Sequence, residues 1–176
     1  MPWPTISLDA WKPVSRPVAI TALSFYLLFL DFANLAIHEA GHPLFGILGG
    51  GAESGFGYTL MIMGGTLFEL IVPLACAIYF FFRREPTGAA FCAFWFFENF
   101  LYIGTYMADA RASSLPLVGS GDSDWEVLFT QWNLILHDTQ VAHATRALGW
   151  LGMLASVAWF AFVFSRSKNT PLQAEA

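Results

Sequence analysis

The chain has 176 residues, 56% of them hydrophobic and 12% charged, with a mean hydropathy of +0.55 and a formal net charge of −5. A soluble domain carries about 25% charged residues, so this chain lacks the polar surface that water demands. The acidic balance argues against nucleic-acid binding, and the cysteines, Cys76 and Cys92, both fall in apolar runs, which argues against a disulfide framework.

A bilayer core needs roughly 20 apolar residues in helix, and four stretches qualify. The first runs from Val18 to about Leu48, the second from about Tyr58 to Phe82, the third from about Thr87 to Ala108 and the fourth from about Leu148 to Phe164. The first is too long for the apolar core of a signal peptide. Between the first two lies a glycine-rich turn, Gly49 to Gly55, which predicts irregular backbone. Between the last two lies a long segment, Asp109 to Arg146. Within it Trp125, Leu128, Phe129, Trp132, Ile135 and Leu136 recur at helical spacing. Ser123 and Glu126 match a capping box there, so an interfacial amphipathic helix is expected over about 123–137, its apolar face toward the membrane or the bundle. The expected fold is a single all-α integral membrane domain over 1–176, a bundle of about four transmembrane helices plus that interfacial helix. Lys12 and Arg16, Arg83 and Arg84, and Arg166 and Lys168 would fall on one side of four spans. The positive-inside rule then puts both termini in the cytoplasm, in what is expected to be a bacterial plasma membrane.

The first span carries His38-Glu39-Ala40-Gly41-His42, an H-E-x-x-H pattern. On a helix, positions i and i+4 project from one face about 6 Å apart, so both imidazoles can reach one tetrahedral metal. Glu39 can then serve as general base toward water in an open coordination position. Ionisable groups inside a span cost roughly 2.5–3.5 kcal/mol each on insertion scales, so retaining several points to a function. Asp31 and Asn34 share the His38 face, either as partners of the ligands or as hydrogen-bonding groups between helices.

A catalytic zinc needs a third protein ligand. Asp109, at the end of the third span, is favoured by depth. His38 lies about 20 residues into its span and Asp109 about 22 into its own, both near 30 Å from the same edge at 1.5 Å per residue. Asp124, Asp122, Glu98 and Glu69 remain alternatives. Glu98 would sit about 16 Å deeper than Asp109, which suits it less to ligation. His137, Asp138 and His143 read as a solvated helix end.

With these residues in place, the chain resembles the site-2 protease family of intramembrane zinc metalloproteases. His38-Glu39-Ala40-Gly41-His42 is similar to that family's first motif at every position. The stretch from Asn99 to Asp109 resembles its second, with Asn and Asp in order, a spacing two residues longer, no prolines, and Ala110 in place of Gly. The resemblance covers the first three spans. It implies that His38, His42 and Asp109 bind Zn2+ and that Glu39 activates water. It also implies that the substrate is a membrane protein or peptide cut in or near the bilayer. Two features depart from it: Pro43 follows His42 directly, where it should kink or end the helix, and the expected topology places the site near the non-cytoplasmic face. A hydrolase of lipid amides or esters, and a non-catalytic metal-binding or transport protein, are the alternative readings.

Overall fold

The computed structural model describes residues 16–51, 53–115 and 122–168, and the side chains within them from residue 29 to residue 166. Lys12 and both chain ends lie outside the described residues. Five helices follow in order: α1 (Arg16–Leu48), α2 (Gly55–Phe82), α3 (Pro86–Asp109), α4 (Asp124–Gln131) and α5 (Asp138–Lys168), with a single 3-10 turn at Ile135–His137 before α5. No strand occurs among the described residues. The all-α class agrees with the sequence, and α2 and Ile135–Arg166 are long and apolar enough to cross a membrane.

Neighbours in sequence are neighbours in space. α1 packs on α2, α2 on α3 and α3 on α5, while α4 lies across α2 and α3. The α1–α2 turn uses glycine where the backbone requires it. Gly50, Gly51 and Gly55 all have positive φ, of 78°, 66° and 71°, a region that only glycine enters freely. Gly51 N–H donates back to the Gly46 carbonyl at 2.9 Å, which closes the end of α1. The two helices then touch backbone to backbone. A Cβ on Gly64 would lie 2.7 Å from the Gly41 carbonyl oxygen, so small residues set the helix separation at the level of the histidines.

The outer surfaces are apolar. Ile71, Leu74, Ile78 and Phe82 of α2 and Leu151, Leu154 and Val157 of α5 are exposed, as are Ile47 and Phe56. Contiguous surfaces of this kind are rare on soluble monomers. The buried contacts concentrate instead around α4. Leu128 and Phe129 are 0% and 1% exposed and pack with Trp125 against Ile103, Met107, Ala110 and Ala142. Each such side chain stabilises the docked helix by about 1.5–3 kcal/mol.

Four sequence expectations change here. The amphipathic helix is shorter than 123–137, because Asn133 takes φ 56° and ends it after Gln131; its apolar face turns to the bundle. Ser123 is the N-cap residue but makes no side-chain cap hydrogen bond, and Glu126 accepts from the Ser113 hydroxyl at 2.8 Å instead of closing a capping box. The last helix starts at Asp138, ten residues before the apolar run, since Thr139, Gln140, His143 and Arg146 continue it as a polar extension. Pro43 lies inside α1, which runs on for another turn to Leu48 rather than ending.

Candidate metal centre

His38 and His42 project from one face of α1 as their spacing predicts, with ring centroids 5.0 Å apart. Asp124, the first residue of α4, meets both. Its Oδ2 lies 3.0 Å from His38 Nε2 and 3.2 Å from His42 Nε2. One donor atom from each of the three residues falls within 4.8 Å of the others, so this group could hold a metal ion. Ligands bound at 2.0–2.1 Å in a tetrahedron stand about 3.3 Å from one another, close to the two separations between Asp124 and the histidines.

The opposite ring nitrogens are tied down behind. His42 Nδ1 lies 3.0 Å from the Met61 carbonyl oxygen. A carbonyl only accepts, so this nitrogen carries the proton and donates. His38 Nδ1 lies 3.3 Å from Glu69 Oε2, a buried carboxylate of α2. Both rings therefore aim Nε2 forward. In the neutral rings, both Nε2 lone pairs face the lone pairs of the Asp124 carboxylate, which is repulsive. Two imidazolium rings at this separation would repel each other. A single cation shared by the two nitrogens and the carboxylate removes both conflicts, so the donor set fits a metal. When Nε2 carries a proton in place of a metal, it donates to Asp124; burial works to raise that carboxyl, but hydrogen bonds from protonated His38 and His42 and their charges outweigh it and hold it down at about 2.

Packing around the rings leaves little slack. A Cβ on Gly65 would lie 2.6 Å from His38 Nε2, so that ring rests directly on the α2 backbone. Thr59 of α2 donates to the Gln131 side chain at 2.9 Å, which ties the far end of α4 to the start of α2. Asp124 is thus placed by a helix anchored through its apolar face and at its end.

The other sequence candidates separate clearly. Asp109 is not among the donors grouped with the histidines. Its carboxylate accepts from Ser114 N–H, Ser114 Oγ–H and Leu115 N–H, at 3.0, 2.6 and 2.9 Å for the closest oxygens. The Ser114 hydroxyl and the neighbouring amides hold its carboxyl below the usual range. It caps the turn after α3, and the carboxylate that lies beside the two histidines is that of Asp124. Asp122 is exposed. Glu69 touches His38 from behind and orients it. Glu98 is half-buried on α3 with Oε2 enclosed and unbonded. Glu39 is exposed on α1 beside His38, and Asp31 is also exposed. Asn34 is 1% exposed and accepts from Trp95 Nε1–H across to α3 at 2.7 Å. The Met61 carbonyl had no signal in the sequence, because a backbone oxygen is available at every position. His137 and His143 lie away from this group, on the 3-10 turn and on α5, and Asp138 pairs with Arg111 at 2.7 Å. The chain matches none of the family models, curated proteins or solved structures with which it was compared.

Proposed function

We propose that the chain is a membrane-embedded zinc metallohydrolase, of metallopeptidase type, with His38, His42 and Asp124 as metal ligands and Glu39 as general base. The observation that carries the reading is the convergence of two Nε2 atoms on one Asp124 oxygen, at 3.0 and 3.2 Å, with both Nδ1 atoms held from behind. Three protein ligands with nitrogen and oxygen donors are the set used by catalytic zinc, which keeps a further position open. When bound, zinc supplies Lewis acidity toward water and toward a substrate carbonyl.

The chain's own residues supply the rest. Glu39 is exposed and adjacent to a ligand, so it is free to take the proton of the attacking water and to return it to the leaving amine. Glu69 and the Met61 carbonyl hold the imidazoles in the tautomer that ligation needs. The H-E-A-G-H motif and its similarity to the site-2 proteases favour a peptide substrate. In this reading α1, α2, α3 and α5 form a four-span bundle whose exposed apolar side chains face lipid, and α4 covers the site at one membrane surface. Both termini lie in the cytoplasm. A peptide bond inside a membrane helix has its carbonyl already hydrogen-bonded, so a substrate must unwind locally before attack.

The deciding experiment is metal content of the full chain, purified without chelator, beside its variants. Near-stoichiometric zinc in the wild type, lost in His38→Ala, His42→Ala and Asp124→Ala and kept in Glu39→Gln, supports the assignment. Hydrolysis of a membrane peptide should then fall by about 10²–10⁴ in Glu39→Gln. A metal-free wild type would overturn it.

A further inference from the structure

One turn and more inward from the metal centre, α1 and α3 face each other with polar stripes. On α1 the stripe is Asp31, Asn34 and His38; on α3 it is Trp95, Glu98 and Tyr102, at the spacing of neighbours on one helix face. Trp95 Nε1–H donates to Asn34 Oδ1 at 2.7 Å and joins the two. The charges of Asp31 and Glu69 bear on Glu98, and the Asn34 side-chain amide is directed at its carboxyl group. None of these groups except His38 and Glu69 is used by the metal centre.

The donors and acceptors of this layer do not balance. Because the indole N–H fixes Asn34 Oδ1 as its acceptor, Asn34 Nδ2 is the free end. Because Asn99 Nδ2 donates to the Glu69 carbonyl at 2.8 Å, Asn99 Oδ1 is the free end. The free Asn34 Nδ2, directed at the Glu98 carboxyl group, is the one donor set against three enclosed oxygens, Glu69 Oε1, Glu98 Oε2 and Asn99 Oδ1. Asn34, Glu69 and Asn99 are at most 1% exposed. Such atoms cost about 1–3 kcal/mol each if left unmatched. The excess is of acceptors, and two of the three belong to carboxyl groups.

No cation of the chain answers it among the described residues. Arg111 is paired with Asp138, Arg146 reaches Thr105, Arg166 lies over Phe162, and Arg83 and Arg84 sit at the α2–α3 turn. The layer does not bring together a further metal-ligating trio of His, Cys, Asp or Glu side chains, since among the described residues only His38, His42 and Asp124 do so. The matching ligand is an organic cation with several diverging donors. A guanidinium has five N–H groups and no acceptor, and Trp95 and Tyr102, three residues before and four after Glu98 on α3, are aromatic side chains of the kind that attract a cation.

We propose that this α1–α3 layer, centred on Glu98 and Asp31, binds the basic side chain of the polypeptide substrate, an arginine for preference, and so sets which segment is presented to the metal. The assignment of that cation to a substrate rests on the metallopeptidase reading; the binding of the cation does not.

The test is equilibrium binding of dodecylguanidinium, and of its neutral counterpart dodecylurea, to the full chain in uncharged detergent micelles. The expected result is saturable guanidinium binding, about tenfold or more tighter than that of the urea. It weakens by a similar factor in Glu98→Gln and in Asp31→Asn and is unchanged in Glu53→Gln, an exposed acid elsewhere. Size-exclusion elution of each variant as the wild type shows that the fold is kept, and Asp31→Asn serves if Glu98→Gln does not fold. Equal binding of the urea, or full guanidinium binding in both Glu98→Gln and Asp31→Asn, overturns the proposal. The metal content of the wild type separates the two readings. Guanidinium binding in a wild-type chain that holds no metal keeps the cation site and removes its assignment to a peptidase substrate. Metal bound with no guanidinium preference removes the cation site and leaves the metal centre standing. A second arm pairs membrane peptides that differ only as arginine against citrulline. Preference for the arginine peptide supports a polypeptide source, and equal binding of the two overturns it.

Discussion

His38 Nε2 and Asp124 Oδ2 stand 3.0 Å apart although 86 positions separate the residues in the chain. That contact joins the middle of α1 to the first residue of α4, a helix of eight residues that packs mainly on α2 and α3. α1 and α4, which are distant in sequence, therefore have to meet across α2 and α3 before the centre exists.

Asp124→Ala is expected to abolish metal binding, whereas Asp109→Ala keeps it. Loss of the ligand should weaken affinity by more than the roughly 10–100-fold that loss of an orienting partner costs. Metal content by mass spectrometry of both variants decides between the two aspartates. Zinc lost in Asp109→Ala and retained in Asp124→Ala would reverse the assignment.

Glu69 acts on the metal only through His38. Glu69→Gln keeps a hydrogen-bond acceptor and loses the charge, so affinity should drop about tenfold; Glu69→Leu removes both and should approach 100-fold. Competition against a chromophoric chelator measures each step, and equal affinity in all three proteins would show that the 3.3 Å contact does not orient the ring.

Gly65 and Gly46 make a steric contrast. A methyl at Gly65 would meet the His38 ring at 2.6 Å, backed by helix on both sides, while one at Gly46 would meet only the flexible Met61 side chain at 3.2 Å. Gly65→Ala should cost about 1–3 kcal/mol of stability and most of the metal. Gly46→Ala should retain both. Thermal melting with metal titration checks the pair, and identical behaviour of the two variants would contradict the packing argument.

The acid limb of stability should depend on Asp138, which is 1% exposed. The hydrogen bond and charge of Arg111 beside it hold its carboxyl below the ordinary value. A carboxyl depressed in the folded state contributes stability above its unfolded pKa of about 3.9, and that contribution is lost as pH falls through the lower folded value. Asp109 and Asp124 are shifted in the same direction, so the difference between wild type and Asp138→Asn isolates this residue. Melting temperature should fall more steeply in the wild type than in Asp138→Asn below about pH 4, and parallel curves would remove the pair from the account.

The legible part of this protein is its local part. His38 and His42 share a face because four residues make just over one helical turn, a relation independent of the rest of the chain. Four long helices follow from runs of apolar residues, and the α1–α2 turn follows from glycines that alone enter positive φ freely. The third partner was not local. Depth along α3 put Asp109 at a suitable level, but depth leaves open which way a side chain turns, and the neighbouring Ser114 and Leu115 amides satisfy that carboxylate. Asp124 reaches the histidines because Trp125, Leu128 and Phe129 are buried and hold α4 against α2 and α3, which brings its first residue to α1. Sequence determined the helices and the histidine pair through backbone geometry and hydrophobicity. Only tertiary packing decided which carboxylate completes the centre, because that choice depends on where a docked helix delivers its first residue.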